Sequence, residues 1–388
     1  MMKRIFLSAA LMLALLATSC GDANQKSSAI PQIDMNADYP EKEICLQDVA
    51  DVSYVPLETT DEMLFEGSII EMSQNGIVGV DKMNDRLLLF YPDGKARQLL
   101  SRKGEGPQEY INLGDVVVDW KREEIFVSHR GGERIQVYTL GGSFKRTLEV
   151  DVFLRQGDMH HFDDNRLLAF KERMAKGYNK SIEPYRPMLL ISKENGCVDS
   201  LSYAKDYIAS LVISNLSAQA YISLPVYVKS GNLTHMSDMG ADTIYTVHKD
   251  GSLSPYMTRT PSVVSDTDGD YFLCLIGVSG NYDFMVKQAK KLTLGSDFVA
   301  RDEKTHDLIR DRKTGEIFRS KFKNADCPFM DVDLKFVKGY DNSAHYLLEA
   351  FELIEALEAG ELSGELKTIA EGLKEDDNPV LMVVKFKE

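Results

Sequence analysis

Apolar and polar positions alternate over short runs from about Val49 onward, and Gly-containing polar turns separate the runs. Val52-Ser-Tyr-Val-Pro-Leu57 is the first such run. Side chains that alternate with a period of two mark half-buried strands, and no long 3.6-residue periodicity competes until near the C-terminus. The pattern also repeats. Gly76-Ile-Val-Gly-Val-Asp81, Asp85-Arg86, Leu89-Phe-Tyr91 and Asp93-Gly94 return 48 residues later as Glu124-Ile-Phe-Val-Ser128, Glu133-Arg134, Val137-Tyr-Thr139 and Gly141-Gly142. Each unit predicts a strand, a polar loop, a second strand, a two-residue turn and a third strand, Ala96–Leu100 or Phe144–Val150. Asp-Gly and Gly-Gly supply the positive φ that tight hairpins need.

The turn signal continues at Asn195-Gly196, Asp250-Gly251 and Thr314-Gly315, with glycine spacings of 48, 54, 55 and 64. An all-β repeat of this length points to β-propeller blades. The 339 residues from Ala50 divide into six blades of about 56. In the last unit Asp333–Val337, His345–Phe351 and Pro379–Phe386 read as three strands, and Val52–Leu57 is the missing outer strand. Closure by an N-terminal strand removes two unpaired sheet edges. Glu352–Lys374 carries Leu353, Leu357, Leu362, Leu366, Ile369 and Leu373 at helical spacing, interrupted by Gly360 and Gly364. It is expected as a helical insertion at about 352–374.

Ahead of the repeats, Lys3 and Arg4 precede an apolar run, Ile5–Ala17, that is too short to span a bilayer. Thr18-Ser19-Cys20 follows. This is the shape of a secretory leader, and the cysteine after small residues resembles a lipobox, in which the thiol is acylated and becomes the new N-terminus. The expected organisation is a signal peptide over 1–19, a lipid anchor and flexible tether over 20–48, and a propeller over 49–388. The expected location is the outer membrane, through the lipid only, facing either the periplasm or the outside.

Composition narrows the function classes. A formal net charge of −15, made more negative when Lys3 and Arg4 leave with the leader, repels phosphate backbones and disfavours nucleic acid as a partner. Cys45, Cys197, Cys274 and Cys327 are scattered, without a Cys-x-x-Cys pair, so free or partly paired thiols are expected rather than a disulfide framework.

Three motifs occur in order: Val55-Pro-Leu-Glu-Thr-Thr60, Arg102-Lys-Gly-Glu-Gly-Pro-Gln-Glu-Tyr110 and Asp377-Asn-Pro-Val-Leu-Met382. With them the chain resembles the NHL-like six-bladed β-propeller lipoproteins of Gram-negative bacteria. The resemblance implies a six-bladed ring, lipid-anchored at an outer-membrane face, with no reaction assigned to the family as a group. The unit Tyr282–Phe322 departs from the pattern, and its strand boundaries are poorly marked.

Candidate chemistry gathers where loops should share one end of the ring. Arg102, Lys103, Glu109, Tyr110, His129 and Arg130 fall in such loops, and Tyr178, Tyr185 and Arg186 lie in a long loop that should reach the same face. Cationic and aromatic groups around a funnel suit carboxylates or sugars. Against this, the Gly-Gly-Pro turn itself reads first as a structural tie between blades, with Glu109 and Tyr110 holding it, and the surrounding basic residues are the better ligand candidates. His160-His161 sit side by side on a strand and point to opposite faces, so they do not suit one metal. Asp266, Asp268 and Asp270 alternate as in a calcium loop but lack the distal glutamate of an EF-hand. Calcium is the only cofactor they suggest, against a solvated turn. No nucleophile elbow, zinc-helix motif or phosphate loop occurs. The reading is a monomeric, lipid-anchored propeller that binds or scaffolds a glycan, a peptide or an envelope protein without catalysis. The alternative is a lyase or hydrolase whose site is assembled from several blades.

Overall fold

In the computed structural model the described residues are 30–129, 133–154, 159–171, 186, 188–203, 211–214, 219–222, 227–263, 271–294, 300–301, 305–336 and 343–388. They form a β-propeller architecture of successive antiparallel sheets with a few small helices. The first sheet runs Ser68–Ser73, Gly76–Asp81, Arg86–Phe90, Ala96–Leu100, and the second Leu113–Asp119, Glu124–His129, Arg134–Thr139, Phe144–Glu149. These are the two halves of the sequence repeat. Inner and middle strands such as Gly76–Asp81 and Leu113–Asp119 are buried along their whole length, since each sheet is covered on both faces by its neighbours. Gly94, Gly142, Gly196, Gly251 and Gly315, the five turn glycines of the repeat, all have φ between +77° and +84°. A side chain there would be strained, which is why the turns are legible as glycine.

The third sheet comprises His160–His161, Arg166–Phe170, Met188–Ser192 and Val198–Ser200. The fourth comprises Tyr227–Ser230, Leu233–Met236, Thr243–Val247 and Leu253–Thr260. The fifth is built on Tyr271–Ser279, Tyr282–Ala289, His306–Asp311 and Ile317–Asn324, with Cys327–Val332 paired to the last of these. The closing sheet has the order Lys335–Phe336, Ala344–Leu348, Val380–Phe386, Ala50–Pro56. Its outer strand is therefore N-terminal, and seven residues pair from Ala50↔Phe386 to Pro56↔Val380.

Two features differ from the expectations. Even division of the chain predicts six four-stranded blades. The described strands instead make five four-stranded sheets, one of five strands and one of six. The additional sheet joins Leu211–Ser214 and Gln219–Ile222, from the connection between the third and fourth sheets, to Lys291–Leu294 and Ala300–Arg301, from a loop of the fifth. The second correction concerns the tether assigned to 20–48. From residue 30 it is part of the body: Gln32–Asp34 pairs in parallel with Thr258–Thr260, and Glu41–Cys45 pairs with Arg319–Lys323. A short helix, Leu46–Val49, follows. Ile33, Met35 and Leu46 are almost wholly buried. These few apolar residues among polar neighbours suffice because each sits on an existing sheet edge rather than forming a core of its own.

The insertion in the closing sheet is two helices, Ala350–Glu358 and Gly364–Ala370. Leu353, Leu362 and Leu366 join the largest apolar cluster, with Phe284, Phe322, Phe386 and Cys327. Among the described residues no helix is long and apolar enough to cross a membrane. Cys45, Cys197, Cys274 and Cys327 are free thiols, and burial pushes the Cys274 thiol up to about 12.

Candidate functional site

The segment Arg102–Tyr110 links the outer strand of the first sheet to the inner strand of the second, and it is folded on itself. The Tyr110 amide donates to the Arg102 carbonyl at 3.1 Å, and the Gly104 amide donates to the Tyr110 carbonyl at 3.0 Å. The Glu109 carboxylate accepts from the Gly106 amide at 2.9 Å. A Cβ on Gly104 would lie 1.9 Å from that carboxylate, so the first glycine is required by the close approach. Tyr110 is fully buried, and its hydroxyl donates to the Asp85 carbonyl at 2.7 Å.

Asp85 is the hub of this end. It lies in the loop between the second and third strands of the first sheet, with φ of +53°. Its carboxylate accepts the Leu113 amide at 2.7 Å and pairs with Lys103 Nζ at 2.6 Å. Burial raises the Asp85 pKa, and the hydrogen bonds from Lys103 and Leu113 overcome that and lower it. From the second sheet, the Gln136 side-chain amide donates to the Pro107 and Glu109 carbonyls at 3.2 Å, and the Tyr138 hydroxyl donates to Gln108 at 2.9 Å. Arg102 donates to the Gly142 carbonyl at 3.2 Å. Arg102, Lys103, Glu109 and Tyr110 are thus brought together: Lys103, Glu109 and Tyr110 are engaged in tying the turn and the two sheets, while Arg102 is exposed and gives the Gly142 carbonyl one of its five donors. Tyr110 has no surface left for a ligand.

His129 ends the neighbouring strand, opposite Leu113. Its Nε2 is buried without a hydrogen-bond partner, and its pKa is lowered by burial and then by Arg134. Arg186 is exposed. Cys20, Arg130, Tyr178, Tyr185, Asp266, Asp268 and Asp270 lie outside the described residues. Among the described residues no group of three or more His, Cys, Asp or Glu could hold a metal ion.

A second ionic cluster, absent from the sequence reading, joins the second and third sheets. Lys193 is 0% exposed. Its Nζ donates to Asp119 Oδ2 at 2.7 Å and to the Asp163 carbonyl at 2.7 Å, and lies 2.9 Å from His161 Nδ1. Burial and the Lys193 charge push His161 down to about 4, so it is neutral at pH 7 and can accept from the ammonium. His160 is instead packed edge-on against Tyr227, ring centroids 5.5 Å apart; the two histidines have different surroundings, as their positions on a strand require. Beside them Glu124 takes a bidentate pair from Arg146 at 2.6 and 2.9 Å and a bond from Lys145 at 2.5 Å. Arg146 also donates to the Lys193 carbonyl at 2.6 Å. Nothing in the sequence marks Lys193, which precedes an Asn-Gly turn and reads as solvated. Its ammonium is met by His161 and Asp163, about thirty residues back, and by Asp119, 74 residues back.

Solved structures share this architecture. A crystal structure of a putative exported protein from Bacteroides fragilis aligns with a TM-score of 0.64 at 16% identity, covering 92% of this chain and 99% of that one. A member of the DUF4221 family from Bacteroides vulgatus aligns with a TM-score of 0.50 at 8% identity, covering 88% and 98%. At such identities the likeness speaks for the fold alone. No curated protein matches the sequence. The NHL-like lipoprotein resemblance is not what the family comparison returns. The profile described as domain of unknown function (DUF4934) matches residues 30–385, essentially the whole described body. The chain belongs to the DUF4934 family.

Proposed function

We propose that this protein is an exported envelope propeller, lipid-anchored through Cys20 at the outer membrane, that binds or scaffolds a partner without transforming it. The leader supports the location, and a structural neighbour described as a putative exported protein supports export alone. One observation carries the non-catalytic reading: Lys103, Glu109 and Tyr110, gathered at the candidate mouth, are engaged in holding the turn and the two sheets together. Lys103 is bound to Asp85, Glu109 to the turn amide and the Tyr110 hydroxyl to a backbone carbonyl. General acid–base work needs a group free to exchange protons with a substrate. The enzyme alternative is best served by the Asp119–Lys193–His161 cluster, but Lys193 has no exposed surface for a substrate to reach. Arg102, Arg186 and the loop positions Arg130, Tyr178 and Tyr185 remain the residues proposed to meet a ligand at this end.

The test has two parts. Cells producing the wild type or Cys20→Ala are labelled with a palmitate analogue and fractionated; label and membrane association are expected for the wild type only. The purified protein is then screened against glycans and peptides. Saturable binding with the ligand recovered chemically intact supports the proposal, and turnover of any bound ligand refutes it.

A further inference from the structure

The fifth sheet contains a gap. His306–Asp311 pairs with Ile317–Asn324 only at Ile309↔Phe318 and Arg310↔Ile317. Cys327–Val332 takes up pairing on that strand at Phe322↔Val332. Arg319–Lys321 lies between the two ladders, and a cavity of about 190 Å³ opens there. Its floor is apolar, made by Phe284, Met285, Leu308, Phe322, Leu334 and Phe336. The floor is closely packed: the Phe284 and Phe336 rings meet at a 43° tilt with centroids 4.5 Å apart, and a Cβ on Gly277 would come within 2.4 Å of the Phe336 ring. A register shift between Leu275 and Gly277 turns Ile276 out at the cavity edge.

The rim is charged, and its charges are matched with one exception. Lys321 pairs with Glu41 at 3.1 Å, Asp333 with Lys335 at 2.5 Å, and Asp331 with Lys323. Asp307 has no ion-pair partner among the described residues. It is exposed at the rim, and its pKa is raised by the desolvation of its inner side and then by the nearby Asp333, against a smaller opposing pull from Lys335 and His306. Within the cavity Ser320 Oγ is buried with no hydrogen-bond partner. A volume well below the ~300–1,000 Å³ of small-molecule sites admits a single side chain.

We infer that this cavity receives one arginine side chain of a polypeptide partner, its aliphatic stem on the Phe284–Phe336 floor and its guanidinium between Asp307 and Ser320 Oγ. The stem matches the apolar floor, and aromatic rings favour a cation over their faces. The planar five-donor head can meet a carboxylate and a hydroxyl together, which a lysine ammonium does less well. The inference rests on the binding reading proposed above and assigns it a partner chemistry, a basic segment suited to an acidic body.

The probe is trifluoroacetyl-Ala-Arg-Ala-amide, followed by fluorine NMR with the full chain in detergent. Its citrulline and norleucine counterparts keep the shape and remove the charge or the whole head. Saturable binding of the arginine peptide, at least tenfold tighter than either counterpart, is expected. Asp307→Asn should bring arginine to the level of citrulline, and Asp307→Glu should restore part of the difference. Agmatine, which has the stem and head without a peptide, should bind several-fold more weakly. Equal binding of arginine and citrulline, no binding at all, or an unchanged preference in Asp307→Asn overturns the site; agmatine binding as tightly as the peptide overturns the polypeptide assignment. Cleavage of the probe would refute the non-catalytic reading instead, while the dependence on Asp307 still decides the site.

Discussion

Replacing Glu124 by Gln tests the ionic cluster inside the second sheet, whose Arg146 also reaches the third sheet through the Lys193 carbonyl. The carboxylate is almost fully buried, which raises its pKa, but hydrogen bonds from Arg146 and Lys145 outweigh burial and lower it from 4.5 to about 2. At about 1.36 kcal/mol per pKa unit that difference is roughly 3 kcal/mol of stability. Lys145 and Arg146 are 38% and 26% exposed, so solvent screening reduces the figure to about 2 kcal/mol. Because the folded pKa lies below the unfolded one, this contribution is complete above pH 4.5 and disappears as pH falls towards 2. Urea unfolding can be followed through Trp120, the single tryptophan, which follows the first strand of the second sheet and donates to Glu71 of the first sheet at 2.6 Å. Glu124→Gln should be less stable than wild type by about 2 kcal/mol at pH 7, and the gap should shrink by more than half at pH 3. A gap of the same size at both pH values, or none at pH 7, would falsify the assignment.

Deleting residues up to Thr60 should produce aggregation or a large fall in Tm, because Val380–Phe386 loses a seven-residue ladder and two further sheets lose their edge strands; a truncated protein melting within a few degrees of the full chain would sink the closure. Tyr110→Phe removes the hydroxyl bond to the buried Asp85 carbonyl, and a loss of about 1–2 kcal/mol is expected in the same urea assay, with no change meaning that the clamp is idle. Lys193→Met leaves the Asp119 carboxylate with the Arg122 backbone amide at 3.1 Å but no cation nearer than the Arg122 guanidinium at 3.9 Å, so a destabilisation of about 3 kcal/mol is expected. Adding Asp119→Leu to Lys193→Met should recover much of it, and a double variant as unstable as the single one would contradict the pairing.

The repeat, its turn glycines and the closing strand were legible because each depends on local pattern. Asp93-Gly94 declares a hairpin whatever surrounds it, and Val52–Leu57 alternates as any half-buried strand does. The edge strands Gln32–Asp34 and Glu41–Cys45 were missed for the opposite reason. Three and five residues long, they have too few apolar positions to show a period and are strands only because a sheet edge is waiting. The inserted sheet depends on parallel pairing between Val212 and Lys291, a distance along the chain that no local signal crosses. At the candidate site the sequence located Arg102, Lys103, Glu109 and Tyr110 at one end, yet a basic or aromatic residue looks the same whether it awaits a ligand or secures a turn. The balance was tipped by Asp85, which the sequence shows only as a repeat position, and by Gln136, which carries no motif.

The N-terminal segment runs as a belt over the outer edges of three sheets, holding by three paired residues, then five, then seven. A pull arriving ahead of Ile30, from a membrane or from any other attachment, therefore meets its weakest grip first. Gln32–Asp34 can let go and lengthen the leash without disturbing the strand that shuts the ring. Under such a pull the stretch would yield in steps, with the seam at Ala50–Pro56 the last to carry load.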